Sequence, residues 1–336
     1  MSRPAGASEP LVQRLYRLLS DREFHSGSLL AARCGVSRSA VWKAVAALRA
    51  LGVTVHAVAN RGYRLPDASP PIQAERITGL LPRAAAARLR AGNSCWSTGS
   101  TNADLLHHSA VPAGQFDFLT AEYQTAGRGR RARRWFAPPG GALCLSLSWS
   151  FAALPADVGA LSLAIGVCAL RALAALGGTG AALKWPNDLV VGTAKLGGIL
   201  IELRAEAGGP ALVVIGIGMN IAVGPALLAQ VLATGTRPAD LSGLGIPACD
   251  RNDLAAALIN ACIAGLEQFE RAGFRPFVAE WRAADALAGQ PVTVSSDAGT
   301  VVGHARGIDA DGALCVQTRE GLRRFVTGDV SVRVAA

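Results

Sequence analysis

Residues 124–135, QTAGRGRRARRW, carry five arginines within residues 128–134 and glycines at 127 and 129. Glycine adopts φ > 0 at little cost, so successive backbone N–H groups can converge on an anion while Arg128 and Arg130 add charge. The runs FDFLTAEY and ALCLSLSW on either side predict strands that hold this segment at both ends. We therefore predict an anion-binding arginine loop. A solvated basic run or a nucleic-acid patch is the alternative.

Lysine occurs at only three positions, 43, 184 and 195, among 33 basic residues. An ammonium is a compact point charge, whereas guanidinium is a wide planar fork, so Lys184 and Lys195 suit a confined site. They belong to the motifs KWPND (184–188) and KLGG (195–198). The proline predicts a turn that places Asn187 and Asp188 at the start of a strand, and the paired glycines permit close approach of a ligand. Surface charge at a hairpin turn is the alternative.

A second polar group, Ser100, Thr101 and Asn102, stands where a strand runs into a helix. It can offer hydroxyl and amide groups to a ligand, or serve as a simple helix cap. Asn220 ends the run GIGMN (216–220), which lacks the strand–GxGxxG–helix context, and the chain has no GxxxxGK[ST] motif. Neither a Rossmann nor a P-loop phosphate site is therefore supported.

Length and composition predict a globular protein of two or three domains, since 336 residues with 51% hydrophobic content can form packed cores. Glycines and prolines interrupt the long uncharged stretches 135–156 and 207–236, so neither predicts a membrane span. The N-terminal residues contain no apolar h-region, so we expect no secretory signal. The seven scattered cysteines form no CxxC pair, which favours reduced thiols in the cytoplasm and no metal cage.

The first 65 residues are the basic part of the chain, with ten Lys and Arg against three Asp and Glu. Leucines at helical spacing predict a first helix, Ser26 and Ser37 are suited to cap two more, and Gly35 to turn between them. A β-hairpin follows, so we predict a winged helix-turn-helix. A three-helix bundle with a solvated face is the alternative. The positive charge favours DNA, contacted by Ser37, Arg38, Ser39, Trp42, Lys43 and Arg61.

The rest of the chain divides into two further domains. Residues 66–71 are rich in proline and predict a linker. Short strands and apolar helices then predict a mixed sheet covered by helices on one side. The last 50 residues alternate with Gly and Asp turns, which indicates a small antiparallel barrel. We predict an α+β multidomain protein with a winged helix-turn-helix (1–66), a central mixed-sheet α/β catalytic domain (67–286) and a small SH3-like β-barrel (287–336).

Taken together, GRGRRARRW, KWPND and KLGGILIE resemble the bacterial biotin-protein ligases. The N-terminal EFHSG and RGYRLP resemble the bifunctional type that also acts as biotin operon repressor. The likeness covers essentially the whole chain, and the motifs in this order are highly specific. The chain departs from the family pattern at Ala132, where the family has glycine, and at KLGG, where the family has KLAG.

The resemblance implies ATP-dependent formation of biotinyl-5′-AMP and transfer of biotin to one lysine of the biotin carboxyl carrier protein of acetyl-CoA carboxylase. It implies biotin and ATP as substrates, with Mg²⁺ carried on the phosphates and no firm protein ligand for the metal. Catalytic roles go to Lys195, Asp188 and Arg130. The residues expected to bind biotin are Ser100, Thr101, Asn102, Gln124, Arg128, Gly129, Arg130 and Lys195. Those expected to bind the nucleotide are Arg128, Arg130, Arg133, Trp135, Lys184, Asn187, Asn220 and Arg333.

Further expectations are operator DNA as a partner and a ligand-promoted homodimer through the central domain. Two rival functions remain. A lipoate-type ligase has related architecture, but that family lacks the DNA-binding domain and the GRGRR loop. A ligand-sensing regulator without ligase activity would not need the intact Lys195 and Asp188.

Overall fold

The N-terminal unit has three helices and a hairpin in a computed structural model that describes residues 9–66, 69–108, 111–205, 210–246, 250–296, 299–326 and 331–334. Its elements are α1 (Leu11–Leu19), α2 (Gly27–Cys34), α3 (Arg38–Ala50), β1 (His56–Val58) and β2 (Gly62–Arg64). Ser26 and Ser37 accept hydrogen bonds from the first turns of α2 and α3, as predicted. Gly35 ends α2 with φ of 62°. The predicted helix-turn-helix with its β-hairpin is confirmed.

Two residues of the central domain, Arg251 and Glu122, form a buried ion pair, and both also hydrogen-bond to the backbone of the linker or of the residues just after it. Arg251 is 0% exposed, and its Nη1 lies 2.8 Å from Oε2 of Glu122. The Nη2 of Arg251 donates to the carbonyl of Pro70 at 3.0 Å, and the backbone N–H of Ile72 donates to Oε1 of Glu122 at 2.7 Å. Residues 69–72 are therefore fastened to the sheet and do not form a free tether.

Tyr16 of α1 joins the N-terminal unit to the central domain. Its hydroxyl donates to the carbonyl of Ser69 at 3.2 Å, and its ring lies 5.5 Å from that of Trp96. Burial raises the pKa of this hydroxyl, so it remains a donor. A Cβ at Gly140, just beyond the arginine loop, would collide with the Tyr16 hydroxyl. The two domains consequently meet close to the loop that the sequence singles out.

A seven-stranded mixed sheet forms the centre of the molecule, in the order β3-β4-β5-β9-β8-β7-β6. Its strands are β3 (Leu89–Thr98), β4 (Phe116–Gln124), β5 (Ala142–Phe151), β6 (Ala181–Lys184), β7 (Asp188–Val191), β8 (Ala194–Ala205) and β9 (Ala211–Asn220). Among the strand pairs that the structure describes in this sheet, β3 and β4 run parallel and the others antiparallel. The accompanying helices are α4 (Ala74–Leu80), α5 (Arg83–Ala86), α6 (Thr101–His107), α7 (Leu161–Ala175), α8 (Pro225–Leu232), α9 (Arg251–Ala272) and α10 (Val278–Ala283). The predicted mixed sheet is confirmed.

Helices cover both faces of this sheet. Phe118 and Val213 belong to the large core shared with α7 and α9, whereas Leu119 and Val214 pack with Leu105 of α6. Neighbouring residues of a strand point to opposite faces, so α6 lies on the face opposite α7 and α9. The prediction that helices cover one side only was wrong for α6, because Leu119, Leu212 and Val214 form a smaller apolar cluster with Leu105 on the second face.

Residues Val158–Ala175, which include α7, are long and apolar enough to cross a membrane by composition alone. The same stretch is 67% buried inside the protein. Its side chains pack in the core with α9, for example Leu173 and Cys168, which are at most 1% exposed. A hydrophobic helix with its surface already covered by protein is typical of a domain core.

Five antiparallel strands make up the C-terminal domain: β10 (Pro291–Ser296), β11 (Gly299–Ile308), β12 (Leu314–Thr318), β13 (Gly321–Phe325) and β14 (Ser331–Val334). Their order is β13-β12-β11-β10-β14, with β13 and β14 at the edges in the described pairings. The indole N–H of Trp185 donates to the carbonyl of Gly312 at 3.1 Å and joins this domain to the KWPND motif. The antiparallel sheet is confirmed.

Candidate functional site

A cavity of about 700 Å³ lies on the sheet face that carries α6. Its walls come from β4, β5, β8 and β9, the arginine loop, the segment 234–237 and β14. Asp188 is the one acidic residue among the described lining residues. The basic lining residues are Arg128, Arg130, Arg131, Arg133, Arg134, Lys184, Lys195 and Arg237. Such an excess of positive charge in a concave site favours a polyanionic ligand.

Lys195 and Asp188 face each other across the β7–β8 hairpin. The Nζ of Lys195 donates to Oδ1 of Asp188 at 2.5 Å, and the two side chains are 29% and 25% exposed. A Cβ at Gly198 would lie 3.3 Å from that Nζ, so the glycine leaves room for the ammonium group. The pair is partly open to the cavity, and Lys195 is within reach of an incoming anion.

The structure brings the two predicted lysines to one site. Lys184 stands opposite Asp188 in the β6–β7 register and lines the same cavity as Lys195. Asn187 and Asn220 also line it, but their amide nitrogens are engaged with the protein. Asn187 donates to the carbonyl of Ile199 at 2.7 Å. Asn220 donates to the carbonyls of residues 195 and 239 at 3.2 and 2.9 Å. These two amides hold the cavity wall that carries Lys195.

The arginine loop folds back on itself as a small closed turn. The N–H of Trp135 donates to the carbonyl of Gly127 at 2.9 Å, and the N–H of Gly129 donates to that of Arg133 at 2.7 Å. At its tip, Arg131 and Ala132 have φ of 56° and 55°. These values lie in the left-handed region of φ, which glycine adopts without steric cost. This gives a physical reason for the glycine that the family pattern has at position 132.

Two glycines of β9 make room for side chains above the sheet. A Cβ at Gly218 would lie 2.6 Å from Cε2 of Trp135, and one at Gly216 would lie 2.9 Å from Cγ of Asn102 and closer to its oxygen. The GIGMN run (216–220) lies within β9, so it forms part of a strand and not a glycine-rich loop. Its glycines let Trp135 and Asn102 approach the sheet closely.

The polar end of the cavity is formed by α6 and β4. Ser100 caps α6 by accepting from the N–H of Ala103 at 3.4 Å, and Oε1 of Gln124 accepts from the N–H of Thr101 at 2.8 Å. The helix cap is confirmed for Ser100, and Ser100, Thr101 and Asn102 also line the cavity, so their binding of a ligand stays a prediction. Burial raises the pKa of the neighbouring Cys144 thiol to about 12, so it stays protonated at neutral pH and is a poor nucleophile.

All six residues predicted to contact DNA are exposed. The apolar side of α3 is buried, while Trp42 on the opposite side is 62% exposed. Arg61 lies in the hairpin turn, with its guanidinium 4.2 Å from the centre of the Phe24 ring. The exposed side of α3 and the hairpin turn thus carry basic residues, and none of the six residues lines the cavity.

Two further predictions concern Arg333 and the metal ion. Arg333 belongs to β14, whose residues Val332 and Val334 line the cavity, but its side chain lies outside the described part of the structure. Within the residues that the structure describes, no group of three or more His, Cys, Asp or Glu side chains could hold a metal ion.

Sequence reasoning missed three contributors to the site: Ser146, Glu202 and Arg237. Ser146 is 0% exposed on β5 and contacts Thr101 and Asn102. Glu202 on β8 binds Asn102, and Arg237 lines the cavity next to Lys195. A serine inside an otherwise apolar strand was a local signal for the first. The other two had none, because their partners are distant in the sequence.

Three family models match this chain in order along its length. They describe an HTH domain over residues 12–64, the biotin/lipoate A/B protein ligase family over 93–220, and the biotin protein ligase C-terminal domain over 288–333.

The chain is also similar to proteins named bifunctional ligase/repressor BirA. It is 38% identical to that of Salmonella typhimurium over 96% of this chain and 97% of the relative. The Escherichia coli protein gives the same figures, 38%, 96% and 97%. The solved biotin protein ligase from Aquifex aeolicus in complex with biotin and ATP shares the fold, with a TM-score of 0.60 at 24% identity, covering 74% of this chain and 99% of that one. This chain therefore belongs to the family of the bifunctional ligase/repressors.

Proposed function

We propose that this protein is a biotin-[acetyl-CoA-carboxylase] ligase and a repressor of biotin synthesis genes. It activates biotin with ATP to biotinyl-5′-AMP and transfers the biotinyl group to one lysine of the biotin carboxyl carrier protein. The observation that carries the proposal is the cavity itself, since it combines a polar end at α6 with Asp188 and eight basic residues, Lys195 among them.

Adenylation joins two anions, because the biotin carboxylate attacks the α-phosphate of ATP and displaces pyrophosphate. Lys195 supplies a point charge that offsets their repulsion and the charge that develops in the transition state. In the structure its Nζ is held by Asp188 at 2.5 Å, so the ammonium group is already positioned in the cavity. Lys184 and the guanidinium groups of Arg128, Arg130 and Arg133 provide further charge for the phosphates.

Biotin binds with its ureido ring at the polar end, against Ser100, Thr101, Asn102 and Gln124. Its carboxylate then extends toward Lys195, because both groups line the same cavity. The arginine loop, with Arg128, Gly129 and Arg130, covers the adenylate, and Trp135 on the sheet provides an apolar surface for the nucleotide. Asn187 and Asn220 support this wall, and Arg333 reaches the nucleotide from β14.

The second step transfers the biotinyl group from the mixed anhydride to an amine, with AMP as leaving group. A free lysine amine has a pKa of about 10.4 and is mostly protonated at neutral pH. Asp188 lines the cavity with 25% of its side chain exposed, and it orients the acceptor amine or accepts its proton. Mg²⁺ enters with the phosphates of ATP, and no step here depends on it.

The winged helix-turn-helix binds operator DNA through the exposed face of α3 and the hairpin. The first 65 residues carry most of the net charge of the chain, which favours phosphate contacts. We further propose domains at 1–66, 67–286 and 287–336, closure of the C-terminal sheet into an SH3-like barrel, a ligand-promoted homodimer through the central domain, and a cytoplasmic location.

The decisive experiment is biotin-dependent exchange of pyrophosphate into ATP by the purified full-length protein. We expect exchange with biotin and none with lipoate. Lys195→Ala should lower the single-turnover adenylation rate by roughly 10² to 10³, a typical loss for one preorganised electrostatic group. No biotin-dependent exchange would favour a ligand-sensing regulator without ligase activity. A loss below about threefold in the variant would refute the role of Lys195.

A further inference from the structure

A series of hydrogen-bonded polar side chains runs from Glu202 on β8 to the polar end of the cavity. Glu202 on β8 accepts a hydrogen bond from Nδ2 of Asn102 at 2.9 Å. The carbonyl of Leu200 accepts from the same nitrogen at 3.2 Å. Both amide hydrogens of Asn102 are thereby engaged, and a carboxylate can only accept. The carboxamide is therefore oriented with its oxygen, Oδ1, toward Ser146.

Ser146 has more acceptors around it than it has hydrogens. Its hydroxyl lies 2.6 Å from Oδ1 of Asn102 and 2.7 Å from Oγ1 of Thr101. The hydroxyl of Thr101 itself donates to Oε1 of Gln124 at 3.2 Å. The one hydroxyl hydrogen of Ser146 goes to one of its two neighbours, and the Thr101 hydroxyl can donate to Ser146 or to Oε1 of Gln124, which also accepts the backbone N–H of Thr101. This end of the cavity therefore has several oxygen acceptors and few hydrogen-bond donors.

These oxygen acceptors are buried. Ser146, Thr101 and Asn102 are 0%, 3% and 4% exposed, and all three line the cavity. A buried site with more acceptors than donors favours a ligand that brings N–H donors of its own. The cyclic urea of biotin carries such N–H donors. Gly216 packs beneath Asn102, so a flip of its carboxamide is the main rearrangement open to this side chain.

We infer that Glu202 is a specificity-determining positioning residue: by fixing the carboxamide of Asn102, it makes the polar end of the cavity an acceptor site that selects the N–H groups of a cyclic urea. The inference rests on the proposed function, since it concerns the biotin end of that cavity. Without Glu202, the carboxamide of Asn102 can turn its NH₂ toward the ligand. This donor then faces the N–H donor of the cyclic urea, and no hydrogen bond forms between them. Glu202 acts through Asn102.

The test compares biotin with an analogue in which oxygen replaces one ureido N–H, a cyclic carbamate. In the wild-type protein we expect kcat/KM for adenylation to favour biotin by about 10² or more, because a site built for a hydrogen bond rejects the ligand that lacks it. In Glu202→Met, the KM for biotin should rise about 10-fold or more with kcat within about threefold, while the carbamate changes little. Glu202→Gln keeps an acceptor oxygen and should restore most of the preference.

Arg204→Leu is the matched control. Arg204 is two residues further along β8 and also fastens α6, by donating to the carbonyls of Leu106 and His108 at 2.8 and 3.1 Å, but it does not bind Asn102. It should leave the preference for biotin unchanged. Thermal unfolding monitors the folding of each variant, and Glu202→Ala replaces the methionine variant if that does not fold.

An equal loss for both ligands in Glu202→Met, or an unchanged preference, would overturn the inference. A wild-type protein without any biotin-dependent adenylation would instead count against the proposed function.

Discussion

Arg251→Met tests whether the buried ion pair fastens the linker to the central domain. Arg251 is 0% exposed and the side chain of Glu122 is 5% exposed. Removing the arginine leaves the Glu122 carboxylate buried with the N–H of Ile72 as its remaining hydrogen-bond partner among those described above. Breaking a buried pair in this way costs about 3 to 5 kcal/mol, much more than the net contribution of the intact pair.

The assay is urea unfolding followed by tryptophan fluorescence. With a slope of roughly 3 kcal/mol per molar urea, the expected loss lowers the midpoint by about 1 to 2 M. Arg76→Met is the control, because Arg76 pairs with Asp250 beside the same helix end at 2.8 Å but its side chain is 45% exposed. That variant should lose less than about 1 kcal/mol.

The double variant Glu122→Gln with Arg251→Met separates charge burial from lost packing. Because the glutamine is neutral, the double variant should recover about 2 kcal/mol or more relative to Arg251→Met alone. A single variant that loses under about 1 kcal/mol, or a double variant as unstable as the single one, would refute the reasoning.

Three further predictions concern other parts of the molecule. Arg130→Gly should still form the adenylate but release it faster, so that an unrelated lysine-rich protein becomes biotinylated; an unchanged off-rate would show that the loop does not retain the intermediate. Burial raises the pKa of Asp285 from 3.8 to about 6, so the folded state binds a proton on this carboxyl group more tightly than the unfolded state does. The free energy of unfolding that this group contributes therefore falls as the pH rises from about 4 to about 6. Asp285→Asn should therefore be more stable than wild type at pH 7 by about 1 to 2 kcal/mol, after allowance for partial exposure, and the difference should vanish near pH 4 in thermal unfolding. Lys43→Ala and Arg61→Ala should each reduce the slope of log affinity against log salt by about 1 in operator-DNA titrations, and an unchanged slope would exclude phosphate contacts there.

Local signals in the sequence were sufficient for much of the fold. Ser26, Ser37 and Gly35 marked the helix ends of the DNA-binding unit because capping and left-handed turns involve residues only a few positions apart. Alternation of apolar residues likewise predicted the strands of the C-terminal domain. The same local reasoning, together with the resemblance, selected Lys184, Lys195 and the arginine loop, which line one cavity.

Tertiary structure decided which residues meet across the sheet. Nothing near Glu202 in the sequence points to Asn102, and nothing near Arg251 points to Glu122, since each pair is separated by at least 100 residues. The face occupied by α6 was also misjudged, because β4 and β9 have apolar residues on both faces, and their sequences do not show which face a helix covers. Strand register and helix docking bring these groups together, and both depend on long-range packing that no short segment encodes.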